Sequence, residues 1–130
     1  MSAIHYDLGS DQILTLTIDM PGQSANTMNA DFRAALTETV GKVKSDLDNI
    51  RGIIVTSAKK TFFAGGDLKE LYKVPREDAG AFEDMVNGMK AEMRVLETSG
   101  KPIVAAINGS ALGGGLEICL ACHHRVVLDE

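Results

Sequence analysis

The chain has 130 residues, 45% of them apolar and 24% charged, with a formal net charge of −5. That length holds one domain with a sizeable core and excludes two ordinary ones. The acidic balance offers no basic field to nucleic acid or an anionic membrane, and no apolar run is long enough to span a bilayer.

Met1 to Asp7 contains no apolar signal core, so an intracellular protein is expected. Residues 3–8 and 13–19 alternate apolar and polar side chains around Gly9-Ser10-Asp11, which predicts a β-hairpin or adjacent strands. Residues 21–26 are a loop by composition. From Asp31 the period becomes helical, with Phe32, Ala35, Leu36, Thr39, Val40, Val43 and Leu47 on one face and Asn29 placed to cap the start. Residues 51–57 form a continuous apolar strand of the kind buried on both faces of a parallel sheet. Phe62 to Ala64 predicts a strand end, Gly65-Gly66 a tight turn, and Asp67 the N-cap of a short helix through Tyr72. A charged loop, residues 73–78, leads to a second long helix. Its stripe of Phe82, Met85, Val86, Met89, Met93 and Leu96 is read as core rather than as a binding surface.

After Ser99-Gly100, the β-branched run 103–107 predicts a buried strand, followed by an Asn108-Gly109 turn and three glycines. Residues 116–121 read as the start of a buried helix, and residues 125–128 as a last strand. Cys119 and Cys122 are read as buried small hydrophobes. His123 and His124 follow them, but no second cluster completes a zinc site. Alternation of strands and helices argues an α/β fold with parallel pairing.

Three phosphate-binding patterns fail on the glycines. A dinucleotide fingerprint would need glycine where Ile118 stands, and a phosphate loop would need lysine where Gly115 stands. Ser110 also lacks the flanking glycines of a nucleophile elbow. What remains is a pair of glycine turns, 65–66 and 113–115, each opening a helix after a strand. Converging N–H groups at two such starts make an oxyanion hole, and two tight turns with glycines for packing alone fit the same spacing. Glu117 adds a carboxylate in otherwise apolar sequence near one of them.

Phe63-Ala-Gly-Gly-Asp-Leu-Lys69 and Ala105-Ala-Ile-Asn-Gly-Ser-Ala-Leu-Gly-Gly-Gly-Leu-Glu117 resemble the two signature segments of the crotonase (enoyl-CoA hydratase/isomerase) superfamily. The resemblance runs the length of the chain, including Ser24-Ala-Asn-Thr-Met-Asn29, and covers the N-terminal half of a usual crotonase domain. Ser110-Ala-Leu and Glu117-Ile-Cys-Leu-Ala-Cys-His-His-Arg125 most resemble the hydratase part of multifunctional fatty-acid oxidation α subunits. Those join an enoyl-CoA hydratase to an NAD-dependent 3-hydroxyacyl-CoA dehydrogenase.

The resemblance implies a crotonase-like spiral of repeated ββα units, truncated, with residues 1–130 as the N-terminal part of an acyl-CoA-binding domain. It implies syn hydration of a 2-trans-enoyl-CoA in β-oxidation. An enoyl-CoA isomerase or other crotonase is the alternative enzyme, and an acyl-CoA-binding or assembly module the non-enzyme alternative. Gly66 and Gly114 match the backbone donors to the thioester oxygen, and Glu117 matches one of the two hydratase glutamates. Ala64, Gly66, Asp67, Leu68 and Lys69 match the strip along coenzyme A, and Ala25 and Asn26 lie where the family's first loop meets the adenine end. Lys69 reads as a phosphate partner or as a solvated helix lysine, while Asp67 is read as a cap before a catalyst. The family's second glutamate would fall about twenty residues beyond Glu117, so the expectation is a fragment with poor turnover alone. No metal or cofactor is expected in this segment beyond the coenzyme A thioester substrate, with NAD only in a downstream dehydrogenase domain. The intact protein is expected to be a trimer-type homo-oligomer or part of a β-oxidation complex.

Overall fold

A computed structural model describes residues 2–66 and 73–129. Strands β1 (Ile4–Leu8) and β2 (Ile13–Ile18) pair antiparallel across a turn closed by the Gly9 N–H on Ile13 O at 3.0 Å. Helix α1 (Ala30–Asp46) starts where Asn29 Oδ1 accepts from the Phe32 N–H at 2.9 Å, as expected of an asparagine cap. Strand β3 (Gly52–Ser57) follows, then helix α2 (Ala79–Glu97), strand β4 (Ile103–Ile107), helix α3 (Gly114–Ala121) and strand β5 (His124–Val127). The sheet keeps sequence order, β1-β2-β3-β4-β5, and every pair after the first is parallel.

Register explains the core. Leu14, Ile53 and Ile103 stand in one row across the sheet, and Leu16, Val55 and Ala105 in the next, all buried. Successive strand residues point to opposite faces, so these rows share the face that receives Phe32, Ala35, Leu36, Val40 and Val43 from α1. Their partners Ile54, Thr56 and Val104 on the opposite face are only half-buried. The expectation that residues 51–57 are buried on both faces is therefore corrected: one face of the sheet is fully covered.

Two further expectations need correction. No residue of α2 is fully buried, although Met93, Val95 and Leu96 lean on the core from its C-terminal half. Its apolar stripe spans a cavity before it reaches that core. Helix α3 buries only Gly115, Ile118 and Cys119, while Leu116 and Leu120 stand 50% and 59% exposed. A helix apolar at every position but Glu117, and so without a period, cannot announce which side will be covered.

The end of α3 is fastened on three sides. Arg125 Nη1 donates to the carbonyls of Cys119 and Cys122 at 3.2 and 3.1 Å, serving the orphan acceptors of the last turn. His123 Nδ1 accepts from the Ile103 N–H at 3.0 Å, which fixes the tautomer whose Nε2–H meets Glu97 O at 2.8 Å. Cys119 and Cys122 are free and buried; burial pushes the Cys122 thiol up to about 11, consistent with a packing role.

Candidate active site

Residues 62–66 run as a short extended segment between two loops, and backbone hydrogen bonds hold it on both sides. Phe62 and Phe63 N–H both reach Ser110 O, at 2.9 and 3.1 Å, and Leu112 N–H reaches Phe63 O at 3.0 Å. On the other side Ala64 N–H donates to Asn26 O and Met28 N–H to Gly65 O, each at 2.8 Å. These bonds use neighbours of Gly66 and Gly114, and among the described residues none of them uses the N–H of either glycine.

The glycines have distinct jobs. Gly65 has φ +97° and Gly113 φ +51°, conformations that L side chains rarely adopt. A Cβ on Gly65 would meet Leu112 O at 3.2 Å, and one on Gly113 would meet Gly65 Cα at 3.5 Å, so the two turns touch backbone to backbone. Gly115 is a packing glycine: a Cβ there would lie 2.5 Å from Phe63 Cβ. Gly114 is the first residue of α3, where the N–H has no intrahelical partner and the helix dipole is positive. Phe63 is the hub of this arrangement, since its ring also meets Phe32 edge-on at 5.0 Å between centroids.

Gly66, Gly114 and Glu117 line one cavity of about 290 Å³. The rest of its described wall is Met28, Arg33, Val74 and four α2 side chains, Phe82, Met85, Val86 and Met89. The methionine stripe read as core is, over this half of α2, the wall of a cavity. Glu117 is exposed on the first turn of α3. Among the described residues it is the one carboxylate on that wall. The site thus offers a helix-start N–H, a second glycine N–H and a carboxylate beside an apolar slot, a set suited to holding a carbonyl oxygen while a proton moves nearby.

Other expected contacts lie differently. Asn26 is fully buried: its Oδ1 accepts from the Met20 N–H at 3.1 Å, and its Nδ2 donates to Ile18 O, Ser57 Oγ and Phe62 O at 3.1, 2.8 and 3.2 Å. A ligand contact from that side chain is corrected, because every polar atom is spent inside the fold. Ala25 is half-buried beside it and Ala64 is exposed. Asp67, Leu68, Lys69 and the short helix through Tyr72 lie outside the described residues. Met28 and Arg33 were not anticipated. Both sit at the start of α1, and the one available signal was that α1 begins beside the loop carrying the family-like Ala25-Asn26 pair.

Among the described residues no group of three or more His, Cys, Asp or Glu is placed to hold a metal ion, and no helix is long and apolar enough to cross a membrane.

Residues 9–130 match the family model for enoyl-CoA hydratase/isomerase. The fatty acid oxidation complex subunit alpha of Shewanella sp. strain W3-18-1 is 41% identical over 122 residues, covering 92% of this chain and 17% of that protein. The subunit alpha of Shewanella loihica is likewise 41% identical, and 16% of it is covered. Among solved structures, an enoyl-CoA hydratase from Bacillus anthracis superposes with TM-score 0.83 at 29% identity, covering 97% of this chain and 47% of that one. One from Mycobacterium smegmatis superposes with TM-score 0.86 at 25% identity, covering 98% and 48%.

Proposed function

Because the chain belongs to the enoyl-CoA hydratase/isomerase family, we propose that it forms the N-terminal part of a crotonase-like domain that hydrates 2-trans-enoyl-CoA thioesters. The observation that carries this reading is the meeting of Gly66, Gly114 and Glu117 on one largely apolar cavity.

In this reading the thioester carbonyl lies against the N–H groups of Gly66 and Gly114. Glu117 takes a proton from a water molecule, whose oxygen bonds to carbon 3 of the enoyl group. The π electrons move toward the thioester oxygen, where the two N–H dipoles stabilise the growing enolate charge. Glu117 then gives that proton to carbon 2 on the same face, which completes syn addition and returns its carboxylate. The sum is water added across a double bond, with no electron acceptor consumed. NAD would serve only a dehydrogenase domain elsewhere in a longer protein. Met28, Val74, Phe82 and Val86 supply the apolar contact for the acyl group. Ala64 and the 67–69 strip would follow coenzyme A, with Ala25 toward its adenine end. Assembly into an oligomer or a β-oxidation complex belongs to the same proposal, and the complex is supported by the Shewanella relatives being subunits of a fatty acid oxidation complex.

The test is hydration of crotonyl-CoA by the protein carrying the whole hydratase domain. Glu117→Gln is expected to lower kcat at least about a hundredfold with little change in KM, the scale of a lost acid–base group. Near-normal turnover would reassign Glu117 to structure and overturn the reading.

A further inference from the structure

Met28 touches both glycine turns. Its backbone pairs with Gly66 in an isolated parallel bridge, and its N–H donates to Gly65 O at 2.8 Å. Its side chain crosses to the start of α3, where a Cβ on Gly114 would meet Met28 Cε at 2.9 Å and Met28 Cβ at 4.0 Å. The thioether therefore fills the room that Gly114 leaves, on the wall of the cavity shared with Gly66 and Glu117.

We propose that Met28 is a positioning residue of the oxyanion hole, one that sets the gap between the Gly66 and Gly114 N–H groups and keeps water from the Gly114 side. The inference rests on the reading that those two groups receive the thioester oxygen. The contact between Gly65 and Gly113 joins the residues that precede each donor, whereas Met28 touches the donor residues themselves. Phe63 also borders Gly114, 4.0 Å from a Cβ there, but it is fully buried, and Met28 is half-buried on the cavity wall. The backbone at 28 is held from both sides, by the buried Asn26 amide and by the Asn29 cap of α1. The base of the side chain is thus fixed while its unbranched tip follows an irregular gap. Donors aimed at a growing charge gain strength where water is excluded. A misplacement of about 1 Å in such a site can cost on the order of a hundredfold in rate.

The experiment uses the protein carrying the whole hydratase domain and takes two readouts. One is hydration of crotonyl-CoA; the other is the absorption of bound hexa-2,4-dienoyl-CoA, which moves to longer wavelength as its carbonyl is polarised. Met28→Ala is expected to lower kcat at least about tenfold with KM within about threefold, and to at least halve the spectral shift. Met28→Leu keeps the apolar volume and loses the terminal methyl, and it is expected to lower both readouts in the same direction. Thermal unfolding shows which variants are folded, and the leucine variant decides where the alanine variant is not. A folded deciding variant with the full shift, or with wild-type kcat, overturns the positioning role and leaves the hydratase reading standing. A raised KM with the full shift is such a result, since loss of an acyl contact alone would give it. A wild-type protein that hydrates crotonyl-CoA without shifting the probe overturns the oxyanion hole and this proposal with it. One that neither hydrates nor shifts overturns the hydratase reading as well.

Discussion

Asn26 shows how a single side chain builds the frame of the site without touching a ligand. Its amide joins the end of β2, the first loop, Ser57 at the end of β3 and the carbonyl of Phe62. It thereby positions the segment that ends in Gly65 and Gly66. Replacing it by leucine would strand the Met20 N–H and the Phe62 carbonyl in a buried place, each such group costing about 1–3 kcal/mol, while the Ile18 carbonyl keeps its bond from the Ala58 N–H. Asn26→Leu is therefore expected to destabilise the chain by on the order of 3 kcal/mol or more, read from urea unfolding, and to weaken acyl-CoA binding through the displaced turn. A loss under about 1 kcal/mol would show that water replaces the amide. Nothing in the sequence separates this asparagine from a surface one, because its partners come from positions as far away as 57 and 62. The Asn29 cap was readable for the opposite reason: its partner, Phe32, is three residues away.

At the level of elements, local period and composition placed the five strands and three α-helices found among the described residues, since apolar spacing marks an element even where its partners lie far away in sequence. What they could not say was what each apolar face would meet. The stripe on α2 has the spacing of a core helix, yet half of it borders empty space, because the glycine turns and the start of α1 stop short of it. The three glycines at 113–115 looked alike in sequence and differ in role, and Gly114 is the one whose N–H the proposed mechanism needs. Proline at the first helical position fits the backbone and removes that N–H alone. A Cβ at 114 comes within 2.9 Å of Met28 Cε, the mobile end of a flexible side chain. Gly114→Pro is accordingly expected to keep the fold, checked by circular dichroism. It should lower hydratase kcat in the whole domain by about a hundredfold or more, the cost of one oxyanion-hole donor. A folded variant with unchanged kcat would leave Gly114 a packing residue.

For the whole molecule the decisive fact is extent. The chain spans 16–17% of the two Shewanella relatives and just under half of the two hydratase structures it resembles. Leu112, Leu116 and Leu120, at and in α3, and Val126, Val127 and Leu128, in and after β5, are exposed large apolar side chains. Val126, Val127 and Leu128 belong to or follow β5, which among the described residues pairs with β4 alone and leaves its other edge open. An unprotected edge with exposed apolar side chains is a template for another chain, and soluble monomers seldom leave such surface uncovered. The net charge of −5 opposes association at low salt and is screened as salt rises. Sedimentation of the 130-residue chain is therefore expected to show association that grows with concentration and with salt. Val127→Lys, at a side chain 64% exposed on the edge strand, is expected to suppress that association without lowering the unfolding midpoint. A wild-type chain that stays monomeric at high salt, where its charge is screened, would show that the open edge and the exposed apolar side chains do not drive association.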